Sequence, residues 1–326
     1  MYSLKTDKIS VGCKKNNSGV FASYMSQIKH DVLKNKSQYI MLLIPLIWYI
    51  VFCYIPMCGI LIGFQDYNIR RGILGSEWIG FENFRRFLID PYFMRSFVNT
   101  LRISLASIIF GFPMPIIFAL LINELTSKRF VKVVQIVTYI PHFISLVVLC
   151  GMIKIFVSDT GIITEIVEIL VGHKIGESLL NRPELFTSIF VLSGIWQGVG
   201  WSSIIYIATI SGIDQELYDA ASIDGAGRLR QALSVTIPSI LPTIILMFIL
   251  RVGSVINVDY EKIMLLINQL NAEKAEVLSY YVYKKGIMES DYSLSTAANL
   301  FNSIINLFFV VSCNTISRKL SDISLW

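Results

Sequence analysis

Six long apolar runs, separated by polar connections, set the pattern of this chain. They cover approximately Tyr39–Ile62, Leu101–Ile122, Val137–Val157, Thr187–Ile210, Ser239–Ile256 and Ala297–Ile316. A helix needs roughly 20 apolar residues to cross a bilayer. The pattern therefore predicts an all-α polytopic membrane protein with six transmembrane helices.

Parity then sorts the polar stretches. Tyr2–Ser37 is Lys-rich and reads as a cytoplasmic tail, partly helical from Ala22 to Asn35, because cationic flanks resist translocation. An inside N-terminus places residues 123–135 and 211–238 inside and residues 158–186 and 257–296 outside. The C-terminal tail, with Arg318 and Lys319, falls inside. Lys128, Arg129 and Lys132 agree with this orientation. Arg70, Arg71, Arg85, Arg86 and Arg95 in the first outer loop do not, so charge bias alone is weak support. The predicted organisation is a basic tail (1–38), a first helix with an outer amphipathic loop (39–96), a five-helix core (97–316) carrying a polar loop at 214–238, and a short tail (317–326). In the first outer loop, Glu77–Phe87 interleaves aromatic and polar residues at near-helical spacing. It reads as an amphipathic helix in the outer interface, or as a contact surface for an external protein.

Composition supports lipid exposure. The 326 residues are 54% hydrophobic and 16% charged, against about 25% charged in soluble domains. The formal charge of +5 would point a soluble protein toward nucleic acid; here basic membrane flanks account for it. Five scattered cysteines, Cys13, Cys53, Cys58, Cys150 and Cys313, have no metal-ligand spacing and read as reduced structural residues. No phosphate-binding Gly-rich loop, His-Glu-x-x-His or Gly-x-Ser-x-Gly motif occurs, and there are three histidines in all. Nucleotide binding and catalysis are accordingly expected in another chain, with no metal held by this one.

The most specific stretch is Asp219-Ala220-Ala221-Ser222-Ile223-Asp224-Gly225-Ala226-Gly227-Arg228, closed by Ile237-Pro238. Leu217–Ile223 favours a short helix. Gly225 tolerates a positive φ and can end it. Arg228–Ser234 can form a second short helix, and Pro238 suits the first turn of the next membrane helix. The small Ala220 and Ala221 would let the first helix seat closely in a groove of another protein.

This loop resembles the Glu-Ala-Ala loop of ABC importer permeases at Ala220, Ala221, Asp224, Gly225, Ala226 and Pro238. It departs at Asp219, where Glu is usual, and at Ala232, where a bulky aromatic often sits. Further likeness lies in Gly80–Phe84, Asn99–Leu101, Asn123-Glu124, Tyr139–Ser145, Gly194–Gln197, Gly200–Tyr206, Tyr281–Lys284 and Ile316–Ser321. Together these resemble the carbohydrate permeases of Gram-positive bacteria that handle polysaccharide-derived oligosaccharides, over about Tyr39–Trp326. The resemblance implies a type I ABC importer permease fold in a bacterial plasma membrane, with Asp219, Ala220, Ala221, Asp224, Gly225, Ala226, Arg228 and Pro238 coupling to an ATPase. It also implies partners: a second homologous permease as heterodimer, a pair of ATP-binding subunits holding ATP and Mg, an extracellular substrate-binding lipoprotein, and an oligosaccharide substrate.

Polar residues inside apolar runs face a cavity or a neighbouring helix. Those here are Arg102, His142, Lys154, Trp196, Gln197, Trp201, Tyr206 and Arg251. Arg102 and Lys154 lie near segment ends and can snorkel; Arg251 lies deeper and needs a partner, such as Asp259 or Asn257. His142, Trp196, Gln197, Trp201 and Tyr206 are the candidates for a substrate path, since rings cover sugar C–H faces and amides meet hydroxyls. Helix packing and an aromatic belt explain the same residues equally well. Pro141 opens the third segment and predicts a bend there. The rival function is an ATP-independent secondary carrier or channel, which would show internal repeats and mid-membrane charges.

Overall fold

The computed structural model describes residues 34–321, almost entirely as helix. The chain divides into two compact units, one ending at Cys58 and one beginning at Gly59. The expected cytoplasmic tail, with its helix over Ala22–Asn35, lies outside the described residues apart from its last positions.

Within the first unit runs most of α1 (Lys36–Phe64). None of its residues from Lys36 to Met57 is buried within the protein. The second unit opens with a two-stranded antiparallel ribbon, β1 (Gln65–Asp66) against β2 (Glu77–Trp78). Then follow α2 (Glu82–Ile89), α3 (Pro91–Asn123), α4 (Lys128–Phe143), α5 (Leu146–Phe156) and α6 (Ile162–Val171). The chain continues through α7 (Pro183–Ser211), α8 (Gln215–Ile223), α9 (Arg228–Val252), α10 (Tyr260–Leu266), α11 (Leu278–Tyr283) and α12 (Tyr292–Ser321).

Among the described residues, α1, α3, α7, α9 and α12 are long and apolar enough to cross a membrane, and α4 with α5 makes a sixth span if the pair is counted as one. That pair is bent by 102°. The break sits just after the predicted Pro141: Ile144 turns extended, and the Ser145 side chain accepts the Val148 N–H to start α5. The helices exceed the apolar runs because polar first turns are capped and packed. In α3, Asp90 accepts the Tyr92 N–H at 2.9 Å and Pro91 occupies the first turn, ten residues before the apolar run begins.

The first connection differs from the expected helix over Glu77–Phe87. Glu77-Trp78 is strand, Gly80 turns the chain at φ +63, and only Glu82 onward is helical. Trp78 stacks on Phe64 with ring centroids 5.6 Å apart. The fully buried Asn83 donates to the carbonyls of Gly63 and Gln65, at 3.1 and 3.0 Å. Phe87 is fully buried beside Phe93 and Phe301. Helix α2 is thus fastened to the helical core of its unit by buried hydrogen bonds and ring contacts.

Lipid is as apolar as leucine, so helix pairing depends on close fit and polar ties. Gly200 shows the first: a Cβ there would overlap the Thr138 carbonyl oxygen, so α7 meets α4 at backbone distance. Glu276 shows the second. Its buried carboxylate takes Arg95 at 2.6 Å and lies 3.6 Å from Lys284, and its carbonyl accepts from Asn99 at 3.0 Å. The next turn is held by the Leu278 N–H on the Thr100 hydroxyl, at 2.8 Å. Cys53, Cys58, Cys150 and Cys313 are free thiols.

Candidate functional site

The loop between α7 and α9 is a compact helix–turn–helix. Asp214 caps α8 by accepting the Glu216 N–H at 3.0 Å. At the other end Gly225 takes φ +75. Its N–H reaches the Ser222 carbonyl at 3.0 Å, and the Ala226 N–H reaches back to Ala221 at 2.9 Å. These two bonds make a Schellman turn, which a residue with a Cβ adopts only under strain. Gln231 of α9 then donates to the Ser222 hydroxyl and the Ala226 carbonyl, both at 2.9 Å, and the Tyr218 hydroxyl lies 3.0 Å from that of Thr236. The two helices are therefore cross-tied at the turn and again between Tyr218 and Thr236, about two turns further along α9.

One expectation is corrected. Arg228–Ser234 is not a separate helix but the start of α9, continuous to Val252 through a π-helical turn at Ala232–Thr236. Pro238 follows that turn, where the widened backbone ladder accommodates its missing N–H. The loop presents its apolar side chains outward: Ile223 is 86% exposed and Leu229 77%. Leu233, Asp219 and Ala220 are exposed and Ala221 is half-buried. Arg228 sits 3.8 Å from Glu124, a loose surface pair.

A cavity of about 730 Å³ lies against α7, lined by Gly194, Gly198, Trp201, Ser202 and Tyr206 of that helix and by Arg251 of α9. Trp201 and Tyr206 thus face a common space. His142 stacks on Trp201, with centroids 4.6 Å apart and planes within 3°. Trp196 and Gln197 do not line this cavity. At about 100° per residue Trp196 points away from the stripe that holds Gly194, Gly198 and Trp201, whereas Gln197 sits at the edge of that stripe, one turn from Trp201. Arg102 is not a snorkelling residue: its Nε donates to the Thr187 hydroxyl at 3.1 Å and its guanidinium to the Lys274 carbonyl at 2.6 Å.

Two smaller cavities continue the first. One of about 160 Å³ shares Ser107, Phe190 and Arg251 with it and adds Asn257 and Asp259. The next, about 430 Å³, shares Asn257, Val258 and Asp259 and adds Tyr260, Tyr283, Asn299 and Asn302. Tyr260 and Tyr283 stack there at 5.3 Å. Sequence reading missed this last group, although Asn299, Asn302 and Asn306 follow the spacing of one helix face. It missed Lys262 as well, an unremarkable lysine in a polar connection. Folding leaves Lys262 4% exposed, its ammonium donating to the Phe190 carbonyl at 3.0 Å and lying 4.5 Å from the Phe190 ring. Burial lowers its pKa to about 8, partly offset by Cys150 and Asp259. Among the described residues, no group of three or more His, Cys, Asp or Glu side chains comes together as a metal site.

A polytopic helical chain with a rigid loop between two spans and a cavity beside them has the build of a transport permease. Residues 111–321 match the model of the family described as binding-protein-dependent transport system inner membrane component, and the chain belongs to that family. Two relatives come from Bacillus subtilis (strain 168). Protein LplB is 37% identical over 310 residues, covering 95% of this chain and 96% of that protein. The polygalacturonan/rhamnogalacturonan transport system permease protein YteP is 39% identical over 292 residues, covering 89% and 90%. Among solved structures, a bacterial ABC transporter involved in import of the acidic polysaccharide alginate superposes with a TM-score of 0.83 at 36% identity, over 90% of this chain and 99% of the matched one. The alginate transporter in complex with an alginate pentasaccharide-bound periplasmic protein matches with the same score.

Proposed function

We propose that this chain is the permease subunit of an ATP-driven importer for oligosaccharides derived from complex polysaccharides, coupled to ATPase subunits through Asp214–Pro238. The observation that carries this reading is the cross-tied helix–turn–helix with Leu217, Ile223, Leu229 and Leu233 exposed. Such a surface fits a protein groove. It is also stiff enough to transmit a push, because it runs directly into α7 and α9, which line the cavity. Family membership and the sugar-importer relatives support the transport role and displace the ATP-independent carrier or channel.

In this reading both termini and the coupling loop are cytoplasmic, and residues 253–291 face outward. ATP and Mg bind the partner ATPase pair, a second permease completes the path as a heterodimer, and an extracellular binding lipoprotein delivers substrate. Closure of the ATPase pair shifts α8, tilts α7 and α9, and opens the path outward; hydrolysis restores the inward-facing state. This is alternating access between two packings. Trp201, with His142 stacked behind it, and Tyr206 supply ring faces and a hydroxyl to passing sugar units. The test is uptake and substrate-stimulated ATPase activity in the reconstituted complex. Gly225→Pro forbids φ +75 and removes the N–H that bonds Ser222, and Asp224→Arg places a long cation at the same turn. Both variants should assemble yet lose coupling. Unchanged stimulated ATPase and uptake in both would remove the coupling assignment.

A further inference from the structure

The three cavities follow one another through shared walls: Ser107, Phe190 and Arg251 between the first and second, then Asn257, Val258 and Asp259 between the second and third. Among the described residues, the only charged side chains that line them are Arg251 and Asp259. Asp259 is already engaged. Its carboxylate caps α10, accepting the N–H groups of Glu261 and Lys262 at 3.0 and 3.3 Å, and the buried Lys262 ammonium stands nearby. Arg251 is in the opposite condition. Its guanidinium has no ion-pair partner and no side-chain hydrogen bond among the described residues. It is the single charge that the described residues place on the wall of the large cavity. A guanidinium presents five donors in a planar fork suited to a carboxylate, and Arg251, exposed on the cavity wall with that fork unmatched, is free to take an anion.

We infer that Arg251 is a specificity-determining residue of the path, holding the carboxylate of uronate units as an acidic oligosaccharide passes the joint between the cavities. This rests on the importer reading above and goes beyond it by naming the residue and the substrate charge. The surroundings fit a uronate sugar better than a free small anion. Trp201 and Tyr206 lie along the same cavity to cover the ring; beyond the joint Asn299 and the unpartnered carbonyl oxygen of Asn302 can meet hydroxyls, while the Asn302 amide N–H is bonded to Asn257 at 3.3 Å. Of the two charges that line the joint, Asp259 already has the buried Lys262 ammonium within electrostatic reach, which leaves Arg251 unbalanced. One unsupported guanidinium also suits transit, since a path residue must release what it holds.

The experiment compares uptake of a galacturonate tetramer with uptake of its methyl ester by the assembled importer in proteoliposomes. The two have the same length and hydroxyls and differ in charge. The binding protein is identical in every sample, so a change in the acid-to-ester ratio between variants arises in the permease. Arg251→Gln should lower that ratio on the order of 10- to 100-fold, the worth of one charge-assisted hydrogen-bonded contact. Arg251→Lys, which keeps the charge without the fork, should fall between the two. An Arg251→Gln importer with the wild-type ratio overturns the inference and leaves the importer reading standing. So does a wild-type importer that carries neutral oligosaccharides and refuses the acid. Loss of the second permease on purification of Arg251→Gln also overturns it, by making Arg251 an assembly contact. Failure of the wild-type complex to carry any oligosaccharide overturns the importer reading itself, and the inference with it.

Discussion

Lys262 shows how far one residue's chemistry depends on its surroundings. In water its ammonium would titrate near 10.5; buried under Phe190 it titrates at about 8. Below pH 8 the cation is present in folded and unfolded chains alike, and the folded state carries the cost of burying it. Between about 8 and 10.5 the folded protein has released the proton while the unfolded chain still holds it, so stability rises with pH across that window. Lys262→Met keeps the length and removes the charge. Thermal melts in detergent should show stability at pH 7 raised by about 1–3 kcal/mol, and the rise above pH 8 flattened. A lower melting temperature at pH 7 would mean that the bond to the Phe190 carbonyl outweighs the desolvation of the charge. Arg251 and Lys262 differ in the same terms: one cation is enclosed and bonded, the other faces open space.

At the scale of elements, the coupling loop owes its shape to its ends. Helix α8 spans nine residues, too short to persist alone in water. It persists because Asp214 closes one end, Gly225 closes the other, and Gln231 ties the turn to α9. Asp214→Ala removes the N-terminal cap and should weaken α8 by about 1 kcal/mol, with Asp214→Ser retaining most of it. Hydrogen exchange over residues 215–223 is the measurement: protection should fall in the alanine variant alone. The loop and its Gly225 turn were legible in sequence because they rest on local bonds between residues at most a few positions apart. The continuation of α9 back to Arg228 was not legible. A π-helical turn at Ala232–Thr236 leaves no composition mark, and Pro238 read as a start signal rather than an interior residue. The bend after Pro141 was anticipated from the proline; its size of 102° was not, since it depends on the extended Ile144 and the cap at Ser145.

Across the whole molecule, the helical unit that starts at Gly59 is held by polar ties between distant parts of the chain. Glu276 is the clearest, joining α3 to the connection before α11 through Arg95, with Asn99 bonded to its backbone. Glu276→Ala leaves the Arg95 guanidinium without its carboxylate and opens space around it. We expect a loss of about 3 kcal/mol, read as a lower melting temperature and poorer recovery of intact protein from membranes. Arg95→Ala should behave alike, and the double variant should cost less than the two single losses added together, because the residues share one interaction.

The sequence by itself determined the class of this protein. Six apolar runs of spanning length defined a polytopic helical membrane protein, the resemblance of the Asp219–Pro238 loop to that of ABC importer permeases implied a transport permease, and family membership agrees. These features are local: hydrophobic length, backbone preference and short-range capping act within a few residues. Tertiary structure alone decided which polar residues share a space. Trp196 looked equal to Trp201 in the sequence, yet helix rotation turns it off the cavity. Arg251 meets Asn257 and Asp259 at a joint between cavities because α9, its following turn and the start of α10 fold back together. Proximity across a packed interface follows from the orientation of whole helices, and no single segment of the chain encodes that orientation.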